Sequence, residues 1–421
     1  ESMNASDTET SFLKEVEDRL EDVIRQARQI GMEERELVDA DTLRRKIHNV
    51  IEDLKGQVRV YCRVRPLNER ERAMGDTEAI RAIDSMTLEV PQGVFHFDGL
   101  FTPGDQEEVF DNCADLVQSA VDGHNVTIFA YGQTGAGKTY TMHGNQREEG
   151  LAARTITELF RIIEPMNHNF RFRIYASMVE MYNNKMLDLL RPVSKSSVSP
   201  KDIPKLSVRY DAAGNVIVDS LCEKVVLDAP ELKDLLKRGL SHRTVAANAM
   251  NIESSRSHLI FIIKVLSTNR QTGEVLSGKL LLCDLGGSER LKKSESIGHH
   301  QKEAIEINRS LTALGDVIEA IATKQKCVPY RNHKLTQIMQ DSLGGSAKTL
   351  MFVNCSPAWN NLNETMMSLM WASRAKKVTN NGAPASTPAL MPTEMVSTGS
   401  PGRSPMLSRR GSSSSVLASP K

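Results

Sequence analysis

Residues 132–139 read GQTGAGKT. This spacing of two glycines, a lysine and a hydroxyl residue can do phosphate chemistry. Glycines let the backbone enter left-handed conformations and turn successive N–H groups inward around phosphate oxygens. Lys138 can then reach the terminal phosphates, and the Thr139 hydroxyl can join a Mg²⁺ ion. A helix beginning near Lys138 would point its positive end at the same anion. A glycine-rich turn that binds nothing is the plain alternative, but the apolar run VTIFAY before the loop and TYTM after it favour a nucleotide.

Phosphate hydrolysis also needs a metal anchor, a placed water and an element that senses loss of the γ-phosphate. Two downstream stretches offer these parts. NIESSRSH (251–258) carries hydroxyls and an arginine, and DLGGSER (284–290) carries a carboxylate, two glycines and a glutamate. Asp284 follows the apolar run LLLC, where a strand end would hold it near the metal. Gly287 could bring its backbone N–H close to the γ-phosphate. Each stretch alone also fits an ordinary loop or tight turn; together and in this order they specify far more.

The elements that must position these loops are short β-branched runs alternating with helical patterns. VRVYCRV, VTIFAY, FRFRIYASMVEMY, HLIFIIKVL, KLLLCDL and TLMFVNCS read as strands. EEVFDNCADLVQSAV and APELKDLLKRGL read as helices between them. The alternation predicts an α/β fold over 57–378 with a buried central sheet. Before it, residues 1–56 form a helical neck. Leu13, Val16, Leu20, Val23, Ala27 and Ile30 step by three and four, as do Ala40, Leu43, Ile47, Val50 and Leu54. The two runs are out of phase, with Gly31 near the break, so a dimeric coiled coil and an amphipathic helix lying on its own domain both remain open. Residues 379–421, rich in Ser, Pro and Gly, have too few apolar side chains to offset ordering entropy and are expected to be disordered. In that tail RSPMLSRRGSSSS is a candidate phosphorylation segment, weighed against an inert solvated end.

Lys+Arg and Asp+Glu both number 53 among 421 residues, so no global field favours nucleic acid, and a polyanionic partner must meet a local patch. The six cysteines show no CxxC or His/Cys ligand spacing, which points to a reducing compartment and away from zinc. No run is long and apolar enough for a membrane span, and no signal-peptide pattern opens the sequence.

CRVRPLNE, FAYGQTGAGKTYTM, NIESSRSH, DLGGSER, INRSLTALGDVI, PYRNHKLTQIMQDSLGG and TLMFVNCSP together resemble the kinesin motor domain, in order across 57–378. The resemblance implies a microtubule-stimulated ATPase. Its fold would be a kinesin-type P-loop NTPase: a mostly parallel, mixed, eight-stranded sheet with helices on both faces. By the same resemblance, Arg63, Pro66 and Tyr140 would sandwich adenine, with Arg65 beside them, and Gln133, Thr134, Gly135, Ala136, Gly137, Lys138 and Thr139 would hold the phosphates. Asn251 and Ser254 would line the same pocket. Ser255 would join Thr139 on Mg²⁺, with Asp284 behind them. Arg256 and Glu289 would pair when ATP is bound, and Gly287 would sense the γ-phosphate.

INRSLTALG would lie on tubulin, with Lys324, Lys326, Arg331, His333 and Lys334 nearby and Lys292 and Lys293 extending the patch. A charge run is also the usual solvated face. Two positions depart from the family pattern. Gly286 stands where Ala is usual, freeing the second loop, and Glu295 with His299 and His300 replaces Gly and Arg-like residues.

The neck precedes the motor, an order that resembles kinesin-14, the C-terminal-motor class directed to microtubule minus ends. The neck would be the lever, and a homodimer through it is a further implication. GLSHRTVAANAMNIESSRSH resembles the calmodulin-binding members, yet no basic amphipathic helix follows Val378, so calmodulin is not supported. The implied location is the cytoplasmic cytoskeleton, the spindle included. A non-motile, ATP-regulated microtubule binder is the alternative; a small-molecule kinase is disfavoured by NIESSRSH and DLGGSER together.

Overall fold

Every second residue of the predicted strands is apolar, and so are most residues between, which is the pattern of a sheet covered on both faces. The computed structural model describes residues 5–55, 58–191, 204–211, 215–250, 254–289, 299–343 and 347–377. Asn251, Lys292, Lys293, Glu295 and the tail 379–421 lie outside the described residues.

Nine strands build the central sheet: β1 (Val58–Val64), β2 (Gly99–Phe101), β3 (Asn125–Tyr131), β4 (Phe170–Tyr182), β5 (Lys185–Asp188), β6 (Lys224–Val226), β7 (His258–Asn269), β8 (Val275–Asp284) and β9 (Lys348–Cys355). Eight of them run in the order β6-β4-β7-β8-β3-β9-β1-β2, and the short β5 pairs with β4 beside that path. The joints from β8 to β2 are parallel, and those from β6 to β8 are antiparallel. Within β3, Val126, Ile128 and Ala130 point to one face, while Phe129 and Tyr131 point to the other. The first face is covered by α3 (Asp115–Val121), α5 (Leu151–Met166) and α6 (Ala229–Met250), which share its core. The other is covered by α7 (His299–Ala322), α8 (Lys334–Ile338) and α9 (Leu362–Ala375). The segment EEVFDNCADLVQSAV is two helices, Gln106–Asp111 and α3, rather than one.

The neck resolves the alternative left open by its sequence. Helices α1 (Ala5–Gln29) and α2 (Glu34–Leu54) fold into an antiparallel hairpin. Gly31, at φ +84°, makes the left-handed turn that ends α1. Ile24, Ala27 and Leu37 are buried between the helices, while Val23, Ile30, Leu43 and Val50 are exposed. The predicted seam therefore splits: α1 buries Ile24 in place of Val23, because a 3.6-residue helix drifts from a seven-residue repeat.

Polar groups dock the hairpin on the motor. His48 bridges the Glu17 carboxylate (2.9 Å) and the Asp115 carbonyl (3.1 Å). Asn49 donates to Asp122 at 3.1 Å, Arg59 to Glu52 at 2.9 Å, and Lys348 to Asp53 at 2.8 Å. No helix among the described residues is long and apolar enough to cross a membrane.

Candidate nucleotide site and its link to the filament face

Strand β3 delivers the chain into the glycine loop, and α4 (Lys138–His143) carries it away, with Gly137 at φ +106° as the N-cap. Gly132 is needed for closeness: a Cβ there would lie 2.3 Å from the Asn354 carbonyl oxygen. Lys138 is buried, and its ammonium donates to the Gly132 and Gln133 carbonyls, each at 2.9 Å. Burial lowers its pKa. Gln133 and Ala136 are buried, whereas Thr134, Gly135 and Thr139 face solvent.

The DLGG loop enters this cradle from β8. The Thr139 hydroxyl donates to Asp284 Oδ2 at 2.8 Å, while the buried Asp284 Oδ1 has no hydrogen-bond partner among the described residues. A carboxylate oxygen left free beside a threonine hydroxyl is the donor set that a hydrated Mg²⁺ ion requires, so the residues fit the metal. The Gly287 N–H donates to the Ser255 carbonyl at 2.8 Å, joining NIESSRSH to DLGGSER. Glu289 lies on the glycine loop itself, accepting from the Thr134 N–H (2.7 Å) and hydroxyl (2.6 Å). In this structure its carboxylate meets Thr134 in the place where the sequence reading expects it to meet Arg256.

Two residues differ from their expected positions. Arg63 is buried, its guanidinium held by the Pro103 and Gly104 carbonyls, Gln106 and Thr141, with the Tyr140 ring 5.1 Å away. It acts as a strut under the loop, and the accessible arginine is Arg65, which donates to the Gly135 carbonyl at 2.7 Å. Arg65 also grips Glu71, a hydrogen-bonded pairing that lowers the Glu71 pKa to about 2. Pro66 is exposed next to it. His333 does not belong to the basic surface: it is buried, caps α8 through the Leu335 N–H and meets Glu306 at 3.3 Å. Lys334 is tied to the Asn184 carbonyl at 2.7 Å. Lys324, Lys326 and Arg331 are exposed as expected.

Two groups of functional residues escaped the sequence reading. Arg243 of α6 is buried, reaching Glu180 (3.3 Å), Asp284 (3.2 Å) and Ser257 (3.1 Å), and thereby fixes the metal-side carboxylate. The second is a relay. The Gly286 N–H donates to His258 Nδ1 at 2.9 Å, so Nε2 carries the proton and donates to Ser310 Oγ at 2.6 Å. Ser310 in turn donates to the Ile307 carbonyl of α7. Burial pushes His258 down to about 3, so it stays neutral in this tautomer. His258 and Ser257 lie inside the SSRSH motif and were findable there; Arg243 and Glu180 were lone charges in helical and strand patterns.

A glycine loop between strand and helix, a carboxylate and a hydroxyl set for a metal, and two loops joined across the pocket define a P-loop nucleotide hydrolase. Residues 63–378 match the kinesin motor domain family. The chain therefore belongs to the kinesin family, whose motor domains are microtubule-stimulated ATPases. It is 45% identical over 349 residues to Kinesin-like protein KIN-14E of Arabidopsis thaliana, covering 82% of this chain and 27% of that protein. It is 47% identical over 348 residues to Kinesin-like protein KIN-14I of Oryza sativa subsp. japonica, covering 80% and 27%. The chain thus spans about a quarter of the length of these relatives. Among solved structures, a fast kinesin matches with TM-score 0.72 at 37% identity, covering 81% of this chain and 96% of that one. The C-terminal motor and motor homology domain of Kar3Vik1, fused to a synthetic heterodimeric coiled coil, matches with TM-score 0.71 at 34% identity, covering 87% and 98%.

Proposed function

We propose that this chain is a microtubule-stimulated ATPase and minus-end-directed motor whose N-terminal neck is the lever. ATP lies with its phosphates in the 132–139 loop, against Lys138 and the loop amides. Its base lies against Tyr140 and Pro66, with Arg65 alongside and Arg63 supporting the ring of Tyr140. Thr139 and Ser255 would hold Mg²⁺, with Asp284 accepting from its water; the ion supplies charge neutralisation across the β- and γ-phosphates. Asn251 and Ser254 complete the pocket wall. Glu289 leaves Thr134 when the γ-phosphate claims that amide and pairs with Arg256, closing the site and orienting the attacking water. Gly287 then turns its N–H from Ser255 to the γ-phosphate.

The observation that carries this reading is the relay from Gly286 through His258 to Ser310, because any shift of the DLGG loop must move or break a hydrogen bond to α7. Helix α7 and the exposed Lys324, Lys326 and Arg331, with Lys292 and Lys293, form the tubulin face. Attraction there weakens as salt rises. The cytoplasmic microtubule cytoskeleton is the place of action, and the neck pairs the chain with a second copy.

Immobilising the N-terminus and recording polarity-marked microtubules tests the reading. Gliding with plus ends leading is expected; minus ends leading would overturn the direction. A non-motile, ATP-regulated binder is the second reading, favoured by α1 folding back on α2 so that the described neck carries no long arm. Stimulated turnover without gliding would select it.

A further inference from the structure

The hairpin has one apolar face that no described residue covers. Phe12 is 62% exposed, Val23 59%, Ile30 81%, Leu43 51% and Val50 47%. At roughly 100° per residue, Phe12, Val23 and Ile30 fall within about 20° of each other on α1, and Leu43 and Val50 do so on α2. Arg45, Asn49 and Glu52 give the motor-facing side of α2. On α1, Lys14 and Glu21 act on Asp115 and Arg161 of the motor. Counting round each helix, both exposed rows point away from the motor, side by side on the hairpin's outer surface.

Three features say what covers that surface. Val23 to Ile30 and Leu43 to Val50 are each seven residues apart, the spacing that packs knobs into the holes of another helix. Both signs of charge border the rows, with exposed Glu15 and Arg19 on α1 and Asp39 and Lys46 on α2. A two-fold copy of the face therefore meets opposite charges rather than a single sign. Two helices of this length, about 37 Å by about 20 Å together, present on the order of 700 Å² per copy. That is close to the roughly 800 Å² per partner of a stable interface.

We propose that this face binds a second copy of the chain, hairpin against hairpin. Two molecules then join through a four-helix bundle while each α1 stays folded on its own α2. The inference rests on the pairing proposed above only in choosing a second copy. It differs from a two-stranded coiled coil in which the hairpin must open.

Sedimentation equilibrium of the whole chain tests it with three proteins in a Cys327→Ser background. The parent is expected to dimerise in the micromolar range. A variant carrying Val23→Gln, Ile30→Gln, Leu43→Gln and Val50→Gln is expected to weaken the dimer at least 100-fold with unchanged helical content. The third, Ile24→Cys with Leu37→Cys, locks the hairpin by a disulfide between two side chains that share its core, with the two thiols oxidised by an added disulfide oxidant that is reduced in turn. The locked protein is expected to dimerise as the parent does. A parent that stays monomeric at 100 µM, a dimer that survives the four substitutions, a locked protein that is monomeric, or thiols that do not join would each overturn the proposal. ATP turnover and filament binding, measured on the same samples, report on the motor reading and do not enter these outcomes.

Discussion

The nucleotide loops and the neck both place glutamates against the motor, but at opposite depths. Glu289 accepts from Thr134 at an exposed edge of the phosphate loop. Glu52 is 1% exposed and holds both Arg59 and Lys55. An exposed carboxylate exchanges partners at little cost, because water replaces whatever it leaves. A buried one has no such substitute, and removing its partner strands a charge. The pocket is thus wired for exchange and the neck root for permanence, as a switch and an anchored lever require.

The widest separation of the two regions comes from substitutions that remove a charge in each. Lys138→Ala is expected to abolish nucleotide binding, a loss of more than about 100-fold by titration with a fluorescent ATP analogue, while the fold survives. Glu289→Ala should leave binding intact, since Thr134 is then freed for phosphate. Turnover should fall by about 100- to 1,000-fold, the scale for losing one preorganised active-site group. Normal hydrolysis by Glu289→Ala would mean that the pairing with Arg256 is misassigned.

In the neck the same kind of change acts on stability. Glu52→Ala leaves Arg59 buried and unpaired, which is expected to cost about 3–5 kcal/mol in urea unfolding. Nucleotide affinity should not change. A loss below about 1 kcal/mol would show that the neck root is as exchangeable as the switch and dissolve the contrast.

This difference in depth also decided what the sequence made legible. The phosphate loop, Asp284 and the strands around them could be read because their chemistry is local: a glycine loop binds phosphate wherever it sits between strand and helix. Gly287 and Glu289 were readable as residue types, but not their present partners Ser255 and Thr134, which come from other loops. His333 looked like a surface cation because nothing nearby in sequence announces Glu306 on α7. Arg63 looked like a base-stacking residue because its acceptors, Pro103, Gly104, Gln106 and Thr141, lie at least 40 positions away. The neck's apolar steps were visible, yet a heptad of two turns specifies a partner helix without saying whether it belongs to the same chain.

A smaller effect is expected from pH, and only in the neck. His48 faces Glu17 on α1, Glu52 on its own helix, and the Asp115 carbonyl, Ser119 and Asp122 on α3. Burial pushes its pKa down, but the Glu17 hydrogen bond and charge outweigh burial and leave it raised. Burial pushes Glu17 up, and His48 and Lys14 bring it below its ordinary value. A raised histidine pKa adds stability that is complete below the unfolded pKa and lost as pH rises through the folded one. A lowered carboxylate pKa adds stability present above the unfolded value and lost as pH falls through the folded one. Docking should therefore be firmest between the ordinary carboxylate and imidazole values. Hydrogen exchange of 13–27 and 40–52 should be faster at pH 9 than at pH 6, and His48→Gln should remove the difference. Equal exchange at both values would show that His48 does not hold the hairpin.

The smallest change probes where the pocket stops being exchangeable. At Gly286 an added Cβ would meet the Ser255 carbonyl oxygen at 3.3 Å, Ile307 Cγ2 at 3.4 Å and His258 Cε1 at 3.5 Å. These neighbours need give only a few tenths of an ångström, and Gly286 has none of the left-handed φ that would strain an alanine. Gly286→Ala should therefore change stability by about 1 kcal/mol or less, with a gain from the reduced freedom of the unfolded loop. Turnover should shift by less than about fivefold, since 1 kcal/mol is worth that factor. A loss of tenfold or more, with stability kept, would mean that the Ser255, His258 and Ile307 contacts at this point tolerate no displacement. The relay from the DLGG loop to α7 would then behave like the neck root, held in one arrangement, and could not transmit the departure of a phosphate.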